Sequence, residues 1–70
     1  MEELQKRLQE LRKEKGISQA AAGIDLGISR AAVAGYETKG REPDIKMLIR
    51  LADYYNVTID YLVGRTDKRQ

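Results

Sequence analysis

Residues Gln19–Tyr36 read QAAAGIDLGISRAAVAGY, and the order of small, flexible and apolar positions within this stretch decides the fold. At its centre stand Gly27, Ile28 and Ser29. Gly27 is free to enter the left-handed conformation that a side chain resists. Ile28 then turns into the core, and Ser29 opens the next helix by accepting a hydrogen bond from a backbone amide. A connection this short sets its two helices at a steep angle. Gly23 falls where the first of the pair passes close beneath the second, a place for a small residue only. Ala22, Leu26, Ile28, Val33 and Tyr36 supply the apolar contacts that hold the two together. A plain helical hairpin would share some of these features but would not need them in this order.

Outward from this unit, periodicity and capping residues predict an all-α chain of five helices. Upstream, Leu4, Leu8 and Leu11 recur at i, i+4 and i+7 on a helix from about Glu2 to Lys15, which Gly16 stops. Ser18 caps the second helix, ending near Leu26, and Ser29 caps the third, about Arg30 to Thr38. A loop from Lys39 to Pro43 follows. Asp44 caps a fourth helix with Ile45, Leu48, Leu51, Ala52 and Tyr55 on one stripe, closed by Asn56. Thr58 caps a short fifth, Ile59 to Val63, ended by Gly64. Residues 1–64 are expected to form one domain, with the paired-helix unit at about 18–37 and 65–70 (RTDKRQ) a flexible polar tail.

Composition narrows the function. There is no cysteine and no histidine, so disulfides and the usual zinc ligands are absent, and no metal or cofactor is expected. No apolar run approaches the roughly 18 residues that cross a membrane, and the mixed-charge start MEELQKRLQELRKEK is no export signal, so a cytoplasmic protein is expected. Catalysis has little to work with: Ser18 and Ser29 are accounted for as caps, and Gly40-Arg41-Glu42-Pro43 lacks the spacing of a phosphate loop. Neither an enzyme nor a small-molecule binder is expected. The net charge of +2 and pI near 9.0 lean towards nucleic acid, though only slightly.

The stretches LRKEKGISQ (11–19), LGISRAAVAGYE (26–37), GREPD (40–44) and LIRLADYYNVTIDYLVG (48–64) make the chain resemble the lambda-repressor-like (Cro/repressor) helix-turn-helix domains of phage and bacterial regulators. The resemblance runs from about Leu8 to Gly64. It implies double-stranded DNA as partner, with the third helix in the major groove and the second across the phosphate backbone, and two copies on neighbouring half-sites. By the same resemblance Arg30 matches a base-reading position, where an arginine can bond guanine O6 and N7. Ser29, Ala31, Ala32, Ala34 and Gly35 match the other groove-facing positions. Ser18, Gln19, Thr38, Lys39 and Arg41 match positions that grip the DNA backbone, and Arg12 with Glu37 matches a partly buried ion pair between the first and third helices.

The chain departs from this pattern where function would be written. The third helix offers bases only the side chains of Arg30 and Ser29; the second follows Gln19 with Ala20, Ala21, Ala22 and Gly23. The family usually has an acid near Ala21, completing a capping box with Ser18, and a larger apolar residue at Ala22. Small residues allow close approach, and alanine methyls can pack on thymine methyls. A competing reading treats Ala20, Ala21, Ile24, Ala31, Ala34 and Gly35 as an apolar face for homodimerisation or another protein. So bare a surface on an ordinary framework would also fit an engineered DNA binder. From Ser18 to Arg41 the cations Arg30, Lys39 and Arg41 face the acids Asp25 and Glu37, a thin electrostatic footprint. The tyrosines are expected to pack, Tyr54 being the most exposed. Lys6, Arg7, Lys13 and Lys15, alternating with Glu3, Glu10 and Glu14, read as a solvated helix face.

Overall fold

A computed structural model describes all residues 1–70. Five helices follow one another: α1 (Glu2–Lys15), α2 (Gln19–Leu26), α3 (Arg30–Thr38), α4 (Ile45–Tyr55) and α5 (Ile59–Leu62). The last ends one residue short of the sequence expectation, with Val63 as its C-cap.

Each boundary after the first has a local cause. Ser18, Ser29, Asp44 and Thr58 all adopt extended backbone and accept a hydrogen bond from the amide three residues on, at 3.0, 3.0, 2.8 and 3.0 Å. Each satisfies an amide that the helix leaves without a partner. Gly16, Gly27 and Asn56 close α1, α2 and α4 in the left-handed conformation, and Asn56 is the only non-glycine residue with positive φ. At Gly27 the turn is completed by Ile28, whose amide donates to the Gly23 carbonyl at 2.9 Å.

Leu4, Leu8 and Leu11 of α1 meet Leu26, Tyr36, Leu51 and Leu62 in one core. Ala22 of α2 is fully buried. Ile45 departs from expectation: it is 76% exposed, and Ile49, one turn on, is also exposed. Of the proposed α4 stripe, Leu51 and Ala52 are buried while Leu48 and Tyr55 are half-buried. The stripe therefore carries the helix only from its second turn, after the chain has left the loop at the edge of the body.

Residues 65–70, expected as a flexible tail, instead lie against α1 and α5. Arg7 donates to the carbonyls of Tyr61 (2.5 Å) and Thr66 (2.6 Å) and pairs with Asp67 (2.9 Å), its guanidinium stacked over the Tyr61 ring. Arg69 makes two 2.7 Å bonds to the Glu14 carboxylate, and its carbonyl accepts from the Thr58 amide at 2.8 Å. So Arg7 and Glu14 are not part of a merely solvated face. The tail composition is polar because its contacts are hydrogen bonds and ion pairs, which periodicity does not register.

Candidate nucleic-acid interface

The α2–α3 unit is assembled on a glycine. A methyl group placed on Gly23 would stand 2.8 Å from the Ile28 carbonyl oxygen and 3.4 Å from the Arg30 amide nitrogen. The turn's own backbone thus occupies the space above Gly23. Arg50 of α4 donates to the Leu26 carbonyl at the end of α2, and the Tyr54 hydroxyl donates to Asp25 at 2.6 Å. Tyr54, expected to be the most exposed tyrosine, is half-buried, as is Tyr55, while Tyr36 and Tyr61 are buried. Burial first, then the hydrogen bond to Asp25, pushes the Tyr54 hydroxyl pKa above the usual range. Neither Arg50 nor the Tyr54–Asp25 pair carries any mark in the sequence, since each joins residues more than twenty positions apart.

α3 is fixed to α1 by a charge. Glu37 is 2% exposed and accepts from Arg12 Nε at 2.8 and 3.0 Å, while Arg12 Nη1 donates to the Ile17 carbonyl at 2.8 Å. Gln9 Nε2 donates to the Glu37 carbonyl at 2.5 Å. The hydrogen bond to Glu37, opposed by burial, raises the Arg12 pKa. Nearby, Tyr55 is pushed up to about 12, by burial first and then by the negative charge of Glu37. Gln9, missed in the sequence, thus helps hold the end of α3.

The side chains singled out for DNA fall into two groups. Arg30, Ala31, Thr38, Lys39 and Arg41 are exposed, Ala34 partly so, along α3 and the loop after it. Ser29 is exposed too, with its Oγ engaged as a cap to Ala32, as Ser18 is to Ala21. Thr38 Oγ1 donates to the Ala34 carbonyl at 2.7 Å. The others turn inward. Ala32 packs against the core. Gln19 Nε2 points to Glu37 Oε1 at 3.4 Å, filling out the buried pair rather than standing free. Gly35 is buried, because Arg41 lies over it. That cover also interrupts the apolar stripe Ala20–Gly35 proposed for protein association, although Ile24 on α2 remains 81% exposed.

Charge is distributed unevenly. Every ion pair involves α1, α5 or the tail, Arg12–Glu37 among them. Arg30, Lys39 and Arg41 have no carboxylate partner and lie at the two ends of α3. Nine residues at about 1.5 Å each give α3 a length of about 13 Å, close to the roughly 12 Å width of the B-DNA major groove.

A short helix braced from behind, joined through a glycine turn to a second and carrying unpaired cations at both ends, defines a helix-turn-helix domain. The chain belongs to the helix-turn-helix family, of the lambda-repressor-like type: the family model matches residues 8–62. Among curated proteins it is 39% identical over 64 residues to the HTH-type transcriptional regulator ImmR of Bacillus subtilis (strain 168), covering 91% of this chain and 50% of that protein. It is 42% identical over 64 residues to the transcriptional regulator AnsR of the same organism, covering 91% and 55%. An uncharacterized regulator, YobD, is 34% identical over 61 residues, covering 87% and 54%. The chain spans about half the length of these relatives. No helix is long and apolar enough to cross a membrane.

Proposed function

We propose that this chain is the DNA-binding part of a transcriptional regulator, acting in the cytoplasm and reading double-stranded DNA by insertion of α3 into the major groove. The observation that carries the reading is the disposition of charge. Arg30, Lys39 and Arg41 are exposed and free of any carboxylate on α3 and its following loop, as lysines elsewhere also are, but only these three sit on or beside a helix whose opposite side is locked by Arg12, Gln9 and the core. Arg30, at the start of α3, is the base reader. Lys39, with the free amides at the starts of α2 and α3, holds phosphates and sets register without reading sequence. Ala31 and Ala34 permit close approach of the helix to the bases and offer methyls to thymine.

Three cations give a single copy little grip, because sequence-independent affinity grows with the number of phosphates neutralised. Two copies on half-sites about one helical turn, roughly 34 Å, apart supply the rest. The test is selection from a random duplex pool, repeated with Arg30→Ala. An enriched motif containing a guanine, with preference at that base lost in the variant by about ten-fold or more, is the expected result. A motif unchanged by Arg30→Ala would remove Arg30 from the role, and no enrichment by the unmodified protein would remove DNA reading altogether.

A further inference from the structure

The burial of Gly35 is unexpected on a helix face that holds Ala31 one turn earlier and Ala34 beside it, both reachable by solvent. The cover is Arg41. Where residue 35 would carry a Cβ, the Arg41 side chain stands at 3.4 Å (Cδ) and 3.6 Å (Cβ). The Arg41 amide donates to the Gly35 carbonyl at 3.1 Å, so the loop backbone is tied to the same residue. Its guanidinium lies 5.5 Å from the centroid of the Tyr36 ring and has no carboxylate partner. A methyl group at residue 35 would touch Arg41 at ordinary van der Waals distance, so the space over this position holds the arginine and nothing larger than a methyl beside it. That space is a seat: the loop backbone is tied to α3 by the Arg41 amide, and the arginine side chain lies over residue 35 with its guanidinium near the Tyr36 ring.

We propose that Arg41 is a second base-reading residue, its guanidinium standing in on the α3 surface for the side chain that position 35 lacks. This rests on the DNA-reading function above and changes the role of Arg41 from backbone grip to specificity. A loosely tethered arginine would meet whichever phosphate lies nearest. One seated against Gly35 and Tyr36 presents its planar fork from a fixed place beside Arg30's own helix, the arrangement that bidentate recognition of guanine requires.

The experiment compares the unmodified protein with Arg41→Ala, Arg41→Lys and Gly35→Leu, by duplex selection and then by titration of the best site and its single-base variants at several salt concentrations. Gly35→Leu keeps the arginine and favours the helix, yet removes the seat; thermal melting verifies that each variant folds. Expected is a second base position, distinct from the one lost in Arg30→Ala, whose preference falls about ten- to hundred-fold in Arg41→Lys and Gly35→Leu alike. Affinity for unrelated duplex should barely change in those two variants. The proposal is overturned if Arg41→Lys keeps the motif intact while Arg41→Ala weakens all duplexes equally and shallows the log–log salt slope by about 1. Absence of any motif with the unmodified protein overturns the DNA reading itself, and Arg41's part with it.

Discussion

Removing the Arg12 side chain should destabilise the fold more than any other single change on the surface of α1. In Arg12→Ala the Glu37 carboxylate, 2% exposed, loses both bonds to Arg12 Nε and retains only Gln19 Nε2 at 3.4 Å. The Ile17 carbonyl loses its 2.8 Å donor in the same change. Stripping one partner from a buried pair costs about 3–5 kcal/mol, and the 13% exposure of the Arg12 side chain favours the lower end, about 3 kcal/mol. A chain of this length has roughly 4–10 kcal/mol in total. With a urea m-value near 1 kcal/mol/M for so small a domain, the midpoint should fall by about 3 M, read by circular dichroism. A control separates the buried charge from the packing. Arg12→Met with Glu37→Leu removes both charges, and such exchanges for apolar residues are commonly neutral or better, so it should recover most of the loss. A single variant costing under about 1 kcal/mol, or a double variant as unstable as the single, would refute the reasoning.

Gly23→Val should cost about 2 kcal/mol or more in the same urea experiment, because its Cβ would meet the Ile28 carbonyl at 2.8 Å and the turn backbone cannot step aside; a stability within 0.5 kcal/mol of the parent, on the order of an ordinary surface change, would count against the close crossing. The Glu14 carboxyl is held below the ordinary range by its hydrogen bonds from Arg69, so the tail contact is present above the unfolded-state pKa and is lost as pH falls through the folded one. The Thr58 amide, which donates to the Arg69 carbonyl, should therefore lose hydrogen-exchange protection as pH falls below the ordinary glutamate range, and protection that survives full protonation of the carboxylates would contradict this.

The fold was legible because its punctuation is local. Ser18, Ser29, Asp44 and Thr58 cap the helices they precede, and Gly16, Gly27 and Asn56 end the helices they follow. Each of these needs only its neighbours within five residues, so sequence order carries the information. Of the side chains expected at DNA, the exposure of Arg30, Ala31, Thr38, Lys39 and Arg41 along α3 and its loop was legible. The rest was not legible where one side chain's position is decided by another element. Gln19 is drawn to Glu37, which Arg12 of α1 has already fixed. Gly35 disappears beneath a loop residue six positions on, whose path is set by the left-handed turn at Gly40. The tail was misread for the same reason, since Arg69 and Glu14 stand 55 residues apart.

These misreadings bear on how so bare a helix could discriminate between sequences. Specificity is the gap between the right duplex and all others, and a phosphate contact made equally to every duplex adds affinity without widening that gap. A recognition surface with few cations binds the wrong sequence poorly. The arginines it does present are then worth most if their directions are fixed in advance, because an immobilised guanidinium has little conformational freedom left to lose on contact. Arg30 has the helix backbone to orient it, while Arg41 has Gly35 and Tyr36. The buried Arg12–Glu37 pair serves the same end from the opposite side of α3, since it resists any shift of the helix that carries Arg30 and against which Arg41 lies. Rigidity behind the proposed reading surface and few cations upon it are therefore two parts of one arrangement: few unselective contacts leave sequence preference to the arginines, and the brace behind α3 limits how far they can shift.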